Sequence, residues 1–240
     1  MAEECLTSAW ALDIEKAWAV TVARPRRNCT GLLLDRAPAA LGRNRAQRQR
    51  PPEADLATRL ILLCHGPTQL MREGGFPGSD TPLDDSGRRK AAGVRVPAAD
   101  RFLVASERAA LETAEAMGLD AMAEASLRDL DFGRWAGRGF AELLAEAPEA
   151  FAGWMADPAN ATPEGEPLSA SIARAAAWLQ TVEGMGETLC AIAGPSFIRS
   201  AIAAAIGLPA ASALRIDIAP LSATTLSFNR LWRLQAIEPA

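Results

Sequence analysis

A single histidine occurs among the 240 residues, His65, and a glycine, Gly66, follows it directly. An imidazole is the side chain best suited to serve as nucleophile or base near neutral pH. The glycine lets a ligand approach the backbone there. From the residues alone, His65 is either such a group or a partly exposed loop histidine. The thiol before it, Cys64, raises a cysteine–histidine nucleophile as another possibility. Neighbouring residues of a strand face opposite ways, so that pair would share no hydrogen bond, and Cys64 reads better as a small buried apolar side chain. One histidine with scattered aspartates and cysteines matches no ligand spacing for a metal, and none is expected. Cysteines 5, 29, 64 and 190 share no short spacing, which supports neither a zinc ribbon nor a disulfide framework.

The elements that must position His65 follow from the pattern around it. Arg59–Cys64 is an apolar run without alternation, stopped by His65-Gly66-Pro67, and reads as a buried strand of a parallel sheet. A helix over 86–96 follows, with Asp84 and Asp85 as caps, then a strand over 101–106 and a helix over 108–117 closed by Gly118. A helical stretch from Phe140 to Met155 is interrupted near Pro148, and Ser169 is placed as the cap of the next helix. Thr188–Ala193 is a third buried strand, and an Ala-rich helix over 196–206 ends at Gly207. Alternation at 225–228 and 231–234 around Asn229-Arg230 predicts a terminal hairpin. The sum is an α/β fold, a three-layer α/β/α sandwich on a mostly parallel sheet. Ligands of such folds bind beyond the carboxyl ends of the strands, where His65, Ser106 to Arg108 and Gly194 stand.

Five segments carry a resemblance. Leu63-Cys-His-Gly-Pro-Thr68 resembles the Arg-His-Gly-x-Thr signature of the histidine phosphatase (phosphoglycerate mutase-like) superfamily. Pro82-Leu-Asp-Asp-Ser-Gly-Arg-Arg89, Ser106-Glu-Arg-Ala-Ala-Leu-Glu-Thr-Ala-Glu115, Leu127-Arg-Asp-Leu-Asp-Phe-Gly-Arg-Trp-Ala-Gly137 and Glu164-Gly-Glu-Pro167 resemble its later blocks, in the family's order. Together they extend from Arg59 to about Ala236. The resemblance implies a phosphoglycerate mutase-like fold and a cofactor-independent phosphohydrolase acting on a small phosphate monoester. His65 would be the nucleophile that becomes a phosphohistidine, and Asp129 would be the general acid. Arg108 would be the second phosphate arginine, although its block is one residue shorter than the family pattern. Gly66, Thr68 and Gly194 fall on the remaining phosphate-binding positions, with Thr68 equally readable as a loop cap. Two departures stand out. Cys64 replaces the arginine before the nucleophile, and Gly194 stands where a second histidine belongs. The alternative is therefore a catalytically inactive phosphatase-fold protein that binds a phosphorylated ligand or a protein partner. The Cys-x5-Arg loop of cysteine phosphatases is absent, the next arginine after Cys64 being Arg72. Phe132 and Trp135 are expected to pack beneath the acid-bearing loop, and a helical insertion near 140–167 to set selectivity.

Charge divides the chain. Residues 24–50 hold eight arginines against one acid, Asp35, whereas from residue 60 onward 15 lysines and arginines face 22 acids. Residues 1–57 are read as a disordered or non-native basic leader, and 58–240 as the phosphatase-like domain. A formal charge of -4 and the absence of tyrosine argue against a nucleic-acid partner. No apolar run approaches the roughly 20 residues that cross a bilayer, and Met1 to Trp18 is unlike a secretory signal. A cytoplasmic, membrane-free protein is expected; the sequence leaves its oligomeric state undetermined.

Overall fold

The computed structural model of the protein describes residues 57–239. The basic leader lies outside the described residues. The chain enters the fold at strand β1 (Thr58–Cys64), then passes through a short helix α1 (Gln69–Glu73) and a two-residue strand β2 (Gly75–Phe76) to helix α2 (Asp85–Ala92). Strand β3 (Arg101–Val104), helix α3 (Arg108–Ala116) and the short strand β4 (Met122–Ala123) follow. After two single 3₁₀ turns come strand β5 (Arg138–Gly139) and helices α4 (Phe140–Glu146), α5 (Pro148–Ala156) and α6 (Leu168–Val182). The chain closes with β6 (Thr188–Ala193), α7 (Pro195–Ile206), α8 (Ala210–Ala213), β7 (Ser222–Asn229) and β8 (Leu231–Pro239).

Six strands form one sheet in the order β4-β3-β6-β1-β7-β8, and β2 pairs with β5 in a small separate ribbon. The pairs β4–β3, β3–β6 and β6–β1 are parallel, whereas β1–β7 and β7–β8 are antiparallel. Every residue from Leu60 to Cys64 and from Leu189 to Ala193 is buried. Consecutive side chains of a strand point to opposite faces, so both faces of the central strands are covered, as a continuous apolar run predicts. Helices α6 and α7 supply part of that cover through Trp178, Leu179, Phe197 and Ile198, which belong to the same core as β1 and β6.

Local chemistry explains most boundaries. Asp84 caps α2 by accepting the Gly87 amide at 2.6 Å. Pro148 occupies the first turn of α5, where its missing N–H costs nothing, and so splits the helical stretch in two. Gly207 ends α7 at φ 70°, the left-handed conformation that favours glycine. Ser169 does not cap α6. The helix starts at Leu168, the cap position is held by Pro167, and no side chain closes that end. The terminal hairpin exceeds the expected span because Ser222 and Thr224 occupy inward positions of β7 and mask its alternation.

Candidate functional site

His65 ends β1 and is almost fully buried, at 3% exposure. Its Nδ1 lies 2.7 Å from the Gly66 carbonyl oxygen. A carbonyl can only accept, so the neutral ring carries its proton on Nδ1 and leaves the Nε2 lone pair available. Burial lowers the imidazole pKa, with Glu107 and the Gly66 carbonyl acting in the opposite direction. The loop that follows is pinned from α3. The Gly66 amide donates to Thr113 Oγ1 at 3.0 Å, and Thr113 in turn donates to the Ala109 carbonyl.

A cavity of about 280 Å³ opens beside His65 at the carboxyl ends of β1 and β3. Besides His65, its polar lining includes Ser106, Glu107, Arg128, Asp129 and Asp131, and Ala109 forms part of its apolar wall. Glu107 accepts the Asp129 amide on Oε1 at 2.9 Å, while its Oε2 is buried without a hydrogen-bond partner. Burial raises the carboxyl pKa of both Glu107 and Asp129. Asp129 Oδ1 accepts the Phe197 amide at 2.6 Å. The guanidinium of Arg128 is turned to Glu166, at 3.2 and 3.3 Å.

The loop bearing Asp129 is held from two sides. Arg174 donates to the Arg128 carbonyl at 2.6 Å and to Glu166 at 2.5 Å, and reaches the Asp129 carbonyl at 3.4 Å. Beneath it, Phe76, Phe132, Trp135, Leu143 and Phe151 form a second apolar cluster, with Phe76 and Phe132 ring centres 4.9 Å apart. Phe132 and Trp135 pack under this loop as expected, with Leu130 against the same cluster.

The structure thus brings His65 and Asp129 to one cavity. The other positions named from sequence lie elsewhere. Arg108 is half exposed and donates through Nε to Glu112 at 2.8 Å on its own helix, while the next residue, Ala109, faces the cavity. That offset is the one-residue shortfall of its block. Thr68 is fully buried and caps α1 by accepting the Met71 amide at 3.2 Å. Gly66 packs toward Leu83 and Gly87, and Gly194 packs directly on Asp129. Cys64 is fully buried and burial drives its thiol pKa far upward, as befits an inert core group. Sequence reasoning passed over Glu107 and Asp131. The signal for Glu107 was its place in the loop just beyond the end of β3, one residue before the arginine that drew attention. Among the described residues no group of three or more potential ligands is arranged to hold a metal.

The model of the histidine phosphatase superfamily, branch 1, matches residues 60–236. The chain belongs to this superfamily. The chain is 34% identical over 119 residues to the "Bifunctional protein Rv2228c" of Mycobacterium tuberculosis, a match covering 45% of this chain and 33% of that protein. The chain therefore spans about a third of the length of the curated relatives it matches. Among solved histidine phosphatase structures, the mycobacterial glucosyl-3-phosphoglycerate phosphatase in complex with VO3 superposes with a TM-score of 0.64 at 27% identity, over 76% of this chain and 98% of that one. The alpha-ribazole phosphatase from Shigella flexneri superposes with a TM-score of 0.67 at 24% identity, over 76% and 96% of the two chains, and shows the shared fold. The superfamily fold is the phosphoglycerate mutase-like α/β sandwich expected from the motifs. Among the described residues, no helix is long and apolar enough to cross a membrane.

Proposed function

We propose that this protein is a histidine phosphatase-fold protein without phosphomonoesterase activity, which retains the crevice beside His65 as a binding site. The observation that carries the reading is the charge of the cavity wall. Three carboxylates, Glu107, Asp129 and Asp131, face one arginine, Arg128, already paired with Glu166. Phosphoryl transfer depends on positive charge and fixed donors around the phosphoryl oxygens. Here Cys64 replaces one family arginine, Ala109 faces the cavity in place of a second, and Gly194 replaces the family's second histidine. Each charge-assisted contact to an anion is worth about 1.5–3 kcal/mol, so three losses lower the rate by roughly a thousandfold or more.

A second reading is favoured by one observation, the orientation of His65. With Nδ1 held by the Gly66 carbonyl, the Nε2 lone pair is left free to act as a nucleophile, and His65 lines the cavity. A slow phosphohydrolase acting on a small phosphate monoester through a phosphohistidine at His65 would use it, with Asp129 as its acid. Two structural relatives are named as phosphatases of glucosyl-3-phosphoglycerate and of alpha-ribazole phosphate, which supports a phosphorylated small molecule as the ligand for this second reading. A cytoplasmic setting belongs to the same proposal and is supported by the free, buried thiols of Cys64 and Cys190.

The test is a panel of aryl and sugar phosphates incubated with the purified protein and with His65→Ala. Equal background rates for the two proteins, no acid-labile phosphate on His65 and no calorimetric binding of vanadate are expected. Turnover by the parent that His65→Ala abolishes would replace this proposal with the second reading.

A further inference from the structure

Position 194 poses a question that the phosphatase comparison leaves open. Gly194 precedes α7 with φ -78° and ψ 159°, ordinary extended backbone that any residue adopts. Nothing in the backbone asks for glycine. Space does. A Cβ placed there would overlap the Asp129 carboxyl group and lie 2.7 Å from Asp129 Cβ.

The same carboxyl group performs a task for α7. Gly194 offers no side-chain cap, and Pro195 has no N–H to satisfy. The Phe197 amide in the first turn donates instead to Asp129 Oδ1, contributed by a distant loop, at 2.6 Å. An anion at that end of a helix is favoured both by the unpaired amides and by the helix dipole. Asp129 reaches it because its own backbone is fixed, the amide by Glu107 and the carbonyl by Arg174.

We propose that Asp129 and Gly194 are a coupled pair: the Asp129 carboxylate is an internal anion that caps α7 in the space a side chain at position 194 would fill. On this view the Asp129 carboxylate serves the fold through the start of α7. The inference goes beyond the proposed function, and its measurements involve no turnover. Detection of phosphatase activity would remove the earlier proposal and leave this one standing.

A double-mutant cycle tests it. Gly194→Ala in the parent is expected to lower the Tm by about 5–10 °C, because the neighbouring carboxyl is held by backbone on both sides and gives way poorly. The same substitution in an Asp129→Ala background is expected to cost less than half as much, because the carboxyl group is gone and only the Cβ at position 129 still has to give way. In an Asp129→Asn background, which keeps the shape and an acceptor, the penalty should persist. Equal penalties in all three backgrounds overturn the proposal. Should Gly194→Ala prevent folding of the parent, amide exchange at Phe197 in the single Asp129 variants decides. Protection at least tenfold lower in Asp129→Ala and kept in Asp129→Asn supports the cap, and protection unchanged in both overturns it.

Discussion

The imidazole of His65 is enclosed by protein and tied to the Gly66 carbonyl, so charging it in the folded state means placing a cation where water is excluded. Its folded pKa lies below the ordinary value of 6.5 that the unfolded chain displays. Below that value the unfolded state binds more protons, so this contribution to stability is complete above about pH 6.5 and is lost as pH falls. Glu107 and Asp129, with raised pKa values, act in the opposite sense and favour the fold as pH falls through their own titrations. The expected outcome is therefore a difference between proteins: from about pH 7.5 to about pH 5.5 the Tm of the parent falls further than that of His65→Gln. Parallel Tm curves would show that His65 is not desolvated. With one histidine in the chain, the difference has a single assignment. At this scale the sequence made His65 and Asp129 legible as residues of one cavity, since each lies in a short motif at a strand or loop end. It made the charge of the wall illegible. The register in which Ala109 and not Arg108 faces inward depends on where α3 begins, and a block one residue short leaves that undetermined.

Helix ends and loops show the same division between local and long-range information. The central strands were readable because burial on both faces leaves an unbroken apolar run, and α7 because Gly207 marks its end. Ser169 misled because a serine near a helix start usually caps it, whereas Pro167 and the apolar Leu168 take the first positions of α6. Two glycines with positive φ separate the backbone requirement from the packing requirement. At Gly207 an added Cβ would meet nothing within 4 Å, so Gly207→Ala is expected to cost about 1 kcal/mol from conformation alone. At Gly133, φ 51°, it would overlap Pro163 and Gly165 across the loop that carries Asp129. Gly133→Ala is expected to cost several times more, in the range of about 3 kcal/mol or above, or to abolish folding. Chemical denaturation of the two variants measures both, and similar losses would contradict the described loop packing.

For the molecule as a whole, the described residues from 58 to 239 form a six-stranded sheet covered on both faces. Thr58 is tied into the fold at its first residue, donating to the Val182 carbonyl at 3.0 Å and accepting the Met185 amide at 2.9 Å. A chain beginning at Ala57 is accordingly expected to melt within about 2 °C of the full chain by calorimetry, a shift of less than roughly 1 kcal/mol. A larger drop would assign the basic leader a part in holding the domain together. The layering and the parallel centre were legible from the order of strands and helices. The placement of β7 beside β1 was not, because hydrogen bonding between strands remote in sequence leaves no periodic mark. That placement has a consequence for synthesis on the ribosome. The first of the described strands to emerge, β1, ends between partners made much later, β6 on one side and β7 on the other. At about 5–20 residues per second, Leu60 to Cys64 wait on the order of ten seconds with both edges open and no neighbour of their own. Between the synthesis of β1 and that of β6 the nascent chain therefore carries an apolar strand without its partners, the kind of segment on which chaperones act.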